Sequence, residues 1–192
     1  MSSIQKPYIV FSDSQLDKIG NTMVYLSEKI SNLSKTKLLK LLYILDETSI
    51  RNGGIPFINL TYKVWKFGPV SEDIYIDLSS ENEMGRLSGF IKKTSQGYII
   101  PNKPFSDDEF SDNDIRLLDE IIENYRHVTA KDLISYTHRK DGLWYKTAQE
   151  NNVLDLLETQ KINNTEIIID MGRLVADNTK KSEIYAEFIE CN

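Results

Sequence analysis

Few residues in this chain have the type and spacing to do chemistry. Its two histidines, His127 and His138, stand eleven positions apart, and neither has a ligand-type residue four positions on. A metal site needs several His, Cys or carboxylate groups converging on one point, and this pair does not supply one. Cys191 is the single cysteine, next to the C-terminus. That rules out an intrachain disulfide and argues against cysteine metal chemistry. No Gly-x-Ser-x-Gly elbow is present, and Gly53-Gly54 is not followed by the Gly-Lys-Ser/Thr of a phosphate loop. Carboxylates are plentiful, but no pair stands out by spacing. The expectation is a protein that is not an enzyme and has no catalytic, metal or cofactor site.

Composition points the same way. With 192 residues, 40% hydrophobic and 27% charged, the chain fits one soluble globular domain. That length buries about 70% of the unfolded surface. No apolar run approaches the roughly 18 residues of a membrane helix, and Met1 to Val10 lacks a signal-peptide pattern. A cytoplasmic protein with no membrane partner is expected. The net charge of −6 is uneven: residues 1–103 carry 13 Lys/Arg and 10 Asp/Glu, whereas residues 104–192 carry 10 and 19. An acidic second half argues against nucleic acid as the partner of the whole molecule. It suits a basic protein partner, or simply a solvated acidic face. The rival reading is a DNA-binding regulator using Lys92, Lys93 and Lys103, which could supply only a weak, salt-sensitive attraction.

The elements that would position any functional residue are mostly helices. Ser12 or Asp13 caps a first helix with Leu16, Ile19, Met23, Leu26 and Ile30 on one face, and Gly20 in it suggests close packing. Ser34 caps a second, whose Leu38, Leu41, Leu42 and Leu45 form the clearest helical stripe. Lys35, Lys37 and Lys40 fall mostly off that stripe and are expected in solvent. Asn52-Gly53-Gly54 ends the helix. Phe90 to Lys93 and Gly97 to Ile100 read as a β-hairpin. Ser111 with Asp114, and Thr129 with Asp132, start two further helices. Ser79 to Asn82 is polar and ends the helix before it. Asn151 to Asn164 reads as a mobile link. Ile167 to Val175 has helical spacing, although its β-branched start also allows a strand. Ile184 to Ile189 closes the chain as an amphipathic helix. The fold class is mostly α, a compact helical domain with one small β-hairpin.

The stretch from Leu60 to Tyr75 carries the most information. Gly68 is free to take backbone angles closed to other residues, and Pro69 biases it away from helix. A helical turn over Thr61 to Lys66 is therefore expected to stop there. A new helix starts near Ser71, with Glu72 and Asp73 in its favourable first turn. Trp65 and Phe67 are then either core residues or a rigid aromatic corner facing a partner.

Three segments in order resemble a known family. They are Lys37-Leu38-Leu39-Lys40-Leu41-Leu42-Tyr43, then Trp65 to Val70 with Tyr75, then Leu133 to His138 with Trp144. This pattern, spanning about 33–148, is similar to the Panacea domain, the SocA-like antitoxin domain of bacteria and phages. Phe67 stands where family members often carry tyrosine, and 151–192 matches no motif, so it reads as a C-terminal extension of the same single domain. The resemblance implies an antitoxin that binds a cognate protein toxin directly, or an adaptor that hands a bound toxin to an ATP-dependent protease. Trp65, Phe67, Gly68, Pro69, Tyr75, His138 and Trp144 are the partner-binding candidates. His138 is otherwise a core or loop histidine donating a hydrogen bond.

Overall fold

The computed structural model describes residues 11–79 and 85–191. The signal-peptide question at Met1 to Val10 and most of the polar break after Ser79 lie outside them. Helix α1 (Asp13–Lys29) is capped by Ser12, whose hydroxyl accepts from the Gln15 N–H. Helix α2 (Lys35–Gly53) is capped by Ser34 and ends on Gly54 at φ +82. Leu38, Leu41, Leu42 and Leu45 are all buried, as their spacing predicts. Burial of Leu39, Tyr43 and Ile44 as well makes α2 apolar nearly all round. It packs against α4 (Asp112–Tyr125), α5 (Ala130–Thr137) and α8 (Thr179–Cys191). A helix buried on several sides has no solvent face for its polar residues, and this corrects the expectation for two lysines. Lys37 is only 7% exposed and Lys40 only 1%. Lys37 reaches the Arg126 carbonyl oxygen at 2.7 Å.

Among the described residues there are two β-hairpins, one more than expected. The anticipated one forms from β3 (Ile91–Lys93) and β4 (Ile99–Pro101). It docks on the α1–α2 link, where the Ile99 N–H donates to the Leu33 carbonyl at 2.8 Å. The close approach at Gly20 is real: a Cβ there would lie 2.3 Å from Cγ of Phe90. The other hairpin replaces the expected helical turn over Thr61 to Lys66. Strand β1 (Lys63–Trp65) pairs antiparallel with β2 (Gly68–Val70), with Lys66 and Phe67 at the tip and Gly68 at φ +98. Tyr62 and Val64 face the core while Lys63 and Trp65 are only partly covered, an alternation of period two. Helix α3 (Glu72–Asp77) follows.

In the second half, Ser111 and Asp114 form a full capping box on α4, and Thr129 caps α5. Helices α6 (Leu143–Glu150) and α7 (Leu154–Glu158) come next. Thus the stretch read as a mobile link holds a helix, with Leu157 buried. Beyond it the helix expected from Ile167 does not form. Residues 163–169 run extended along the free edge of β1 instead. Lys66 N–H donates to Asn163 O (2.8 Å), Val64 N–H to Ile167 O (2.9 Å) and Ile169 N–H to Tyr62 O (2.8 Å). The β-branched run explains the outcome, since it packs well in extended chain and loses rotamers in a helix. Only a 3₁₀ turn, Met171–Leu174, remains helical before α8.

Entry into β1 is set by Asp46 of α2. Its buried carboxylate accepts from the N–H groups of Ile58 (2.7 Å), Asn59 (3.3 Å) and Leu60 (3.2 Å), and from the Tyr62 hydroxyl (2.8 Å). Burial still pushes this carboxyl above the usual aspartate range, against those four donors. Asp46→Ala would strand the buried donors and should cost about 3 kcal/mol or more of stability, because each unsatisfied group costs roughly 1–3 kcal/mol. Urea unfolding of the variant checks this; a loss below about 1 kcal/mol would contradict it.

Candidate functional site

The three sequence motifs meet at one place, the underside of the β1–β2 turn. Lys40, from the middle of α2, sends its Nζ to the Pro69 carbonyl oxygen at 2.8 Å. The turn sits tightly on this contact. A Cβ on Gly68 would meet Thr137 Oγ1 at 2.6 Å and Lys40 Nζ at 3.1 Å. Glycine is thus required twice, by its positive φ and by the absence of space. Thr137 ends α5, and its hydroxyl donates to the Ile134 carbonyl (3.0 Å). His138 caps the same helix end and stacks flat on Trp144, ring centroids 3.8 Å apart and planes 3° apart. Trp144 in turn donates its indole N–H to the Trp65 carbonyl at 2.9 Å. Trp65 meets Tyr75 of α3 edge-on, with centroids 4.9 Å apart. Four helices and both strands thereby hold one turn.

The candidates divide into supports and surface. Gly68 and Pro69 are buried, and Trp144 is 1% exposed in the core. As placed, these three shape the turn from beneath instead of offering a contact face. Phe67 is 57% exposed at the tip. Trp65 and Tyr75 are partly exposed beside it. The buried Nε2 of His138 has no hydrogen-bond partner among the described residues, and its ring is held by the flat stack on Trp144. Sequence reasoning missed Lys40, the closest support of all, because helical spacing put it off the apolar stripe. The signal for the hairpin was there: Tyr62 and Val64 alternate with Lys63 and Trp65, and a short tip ending in glycine follows.

Electrostatics follow from burial. Enclosure lowers the Lys40 ammonium from 10.5 to about 7. Burial, with the Lys40 charge as the smaller cause, lowers His138 to about 4, so its imidazole is neutral near pH 7. Alongside, the Glu47 carboxylate of α2 pairs with Arg139 (2.5 Å) and Arg51 (3.2 Å). Among the described residues no group of three His, Cys, Asp or Glu side chains could hold a metal ion. No described helix is long and apolar enough to cross a membrane.

Beside this turn lies a small pocket of about 250 Å³, lined by Lys35, Leu39, Trp65, Phe67, Tyr75 and Asn163 among others. What the fold defines here is a mostly helical scaffold with buried polar supports beneath an exposed aromatic tip. Comparison with known proteins names that scaffold. Residues 38–145 match the family described as antitoxin SocA-like, Panacea domain, and the chain belongs to this family. It is also 30% identical over 118 residues to the antitoxin SocA of Caulobacter vibrioides strain NA1000 / CB15N. That alignment covers 60% of this chain and 58% of the relative, less than two thirds of the relative's length. No solved structure matches.

The Lys40 contact makes a prediction about pH. Its folded pKa, about 7, lies below the unfolded value of 10.5. Between those values the unfolded chain binds more protons, so this group's contribution to stability rises with pH and is lost as pH falls toward 7. The slope is at most about 1.4 kcal/mol per pH unit. Lys40→Met should remove that rise. Denaturant unfolding of both proteins between about pH 7 and about pH 9 measures it; parallel slopes would refute the buried lysine.

Proposed function

We propose that the chain is an antitoxin of SocA type that neutralises a protein toxin by binding it directly through the β1–β2 tip. The family membership and the named relative support the antitoxin role. The observation that carries the choice of surface is Phe67, a large aromatic side chain 57% exposed on a turn that the core holds rigidly. Exposed aromatics on rigid supports lose little conformational freedom on binding and recur as the anchors of protein interfaces. Trp65 and Tyr75 flank it, and Lys66 lies over the Phe67 ring at 4.8 Å.

The mechanism is occlusion. An interface of about 1,600 Å² centred on this tip covers the toxin's working surface or holds it in an inactive state. Gly68, Pro69, His138 and Trp144 act in it by fixing the turn, so their loss weakens binding through the fold. Residues 151–192 take part in the scaffold through the strand-edge bonds of 163–169.

Co-expression with the product of each flanking gene tests the role, by growth rescue and co-purification. A neighbour that is toxic alone, harmless with this protein and recovered bound to it is the expected result. Phe67→Ala separates surface from core. It should leave the melting temperature within a degree or two, as surface substitutions change stability by only about 0.5 kcal/mol. It should weaken toxin binding by about 2 kcal/mol or more, roughly 30-fold. A stable Phe67→Ala protein that binds the toxin as tightly as the parent would move the interface elsewhere.

A further inference from the structure

The pocket beside the tip has a composition that selects its occupant. Its apolar wall is made by Leu39, Val70, Trp65 and Phe67. Its polar positions are lysine, threonine and asparagine: Lys35, Thr36, Lys40, Asn163 and Asn164, with no Asp or Glu among the lining residues. That is notable on a chain of net charge −6. Lys35 lies over the Tyr75 ring at 4.1 Å and reaches the Ser79 hydroxyl at 3.0 Å, and it pairs with no carboxylate among the described residues. Lys66 rests over the Phe67 ring and likewise has no carboxylate partner there. Lys63, one turn of strand away, contrasts with both, since Glu72 and Glu166 neutralise it. Lys35 and Thr36 also open α2, so the positive end of a 19-residue helix adds to the field. Finally, the buried indole N–H of Trp65 has no acceptor among the described residues.

We propose that this pocket docks a short acidic-aromatic peptide segment of the partner protein, one large apolar side chain lying in the pocket and an adjacent Asp or Glu carboxylate at Lys35. The volume, about 250 Å³, accommodates one such side chain. It falls below the roughly 300–1,000 Å³ of pockets that enclose small-molecule ligands. The walls match an apolar group, and Lys35, which has no carboxylate partner among the described residues, matches a carboxylate that gains a charge-assisted hydrogen bond there. This inference rests on the reading of the tip as a binding surface and adds the chemistry of what is bound.

The chain has two tryptophans, and they report separately. Trp65 lines the pocket, whereas the indole N–H of Trp144 is held by the Trp65 carbonyl in the core. The experiment titrates the ¹⁵N-labelled full chain and follows the two indole signals. The probes are a capped Gly-Phe-Asp-Gly peptide, its Gly-Phe-Asn-Gly and Gly-Ala-Asp-Gly counterparts, and inorganic phosphate. The Phe-Asp peptide should shift the Trp65 signal saturably and leave the Trp144 signal in place. Each counterpart should bind at least about tenfold more weakly, as should the Phe-Asp peptide to Lys35→Gln. Asn164→Asp, which puts a carboxylate at an exposed lining position, should weaken binding of the same peptide and serves if Lys35→Gln melts early. No Trp65 shift with any peptide overturns the proposal, and so does equal binding of the Asn counterpart. A shift with phosphate that matches the peptide reduces the pocket to an anion site and overturns it as well. The toxin experiment fails independently. A toxin still neutralised by Lys35→Gln leaves the antitoxin reading standing without this pocket, while peptide binding with no toxic neighbour leaves the pocket without that role.

Discussion

The hydrogen bond from Lys40 to the Pro69 carbonyl is the constraint on which the candidate site depends. Proline has no N–H to tie β2 further into a sheet, and its carbonyl would be buried without a partner. A lysine from the central helix provides one at 2.8 Å. Burying that ammonium is costly, and the depressed pKa of about 7 expresses the cost. In return the turn is anchored to the most buried helix of the molecule. Every other support follows from its position: Gly68 must be small to let Thr137 close in, and α5 must end there for His138 to stack on Trp144.

The second constraint is the treatment of β1. A three-residue strand paired only with β2 would be marginal. Residues 163–169 complete it on the other edge, and Thr165 adds a side-chain bond to the Val64 carbonyl at 2.7 Å. The late segment is therefore part of what holds the tip, although it lies outside the matched family region of residues 38–145. Asp46 completes the arrangement by gathering three backbone N–H groups at the entry to β1. Polar side chains from α2 thus position both ends of the hairpin, which leaves the exposed aromatics on a stiff base.

The titratable groups at the centre of this base, Lys40 and His138, are shifted by burial and spent on packing or on holding backbone. Perturbed pKa values at a buried cluster are common at functional sites, but structural networks produce them too. Here the surface above them is aromatic and basic, in a protein whose net charge is acidic.

Local rules in the sequence determined the starts of four helices, α1, α2, α4 and α5. Ser12, Ser34, Ser111 and Thr129 all cap as their types and spacing demand, and the leucines of α2 face the core. Those signals are local, acting within one or two turns of chain, so a linear reading captures them. It also brought forward the three motifs, though not what unites them. Tertiary structure decided the rest. Thr61 to Lys66 carries both a helical and a strand signal, and in the fold the strand is supported by pairing with β2 and by the edge supplied from 163–169, about a hundred residues later. Lys40 was read as solvated because period alone cannot show that α2 is enclosed on several sides. Likewise Trp65, Phe67 and Trp144 look alike as aromatic residues in a signature. Only the packing separates the one in the core from the one at the tip, because burial is a property of what lies across the chain and not of the residue itself.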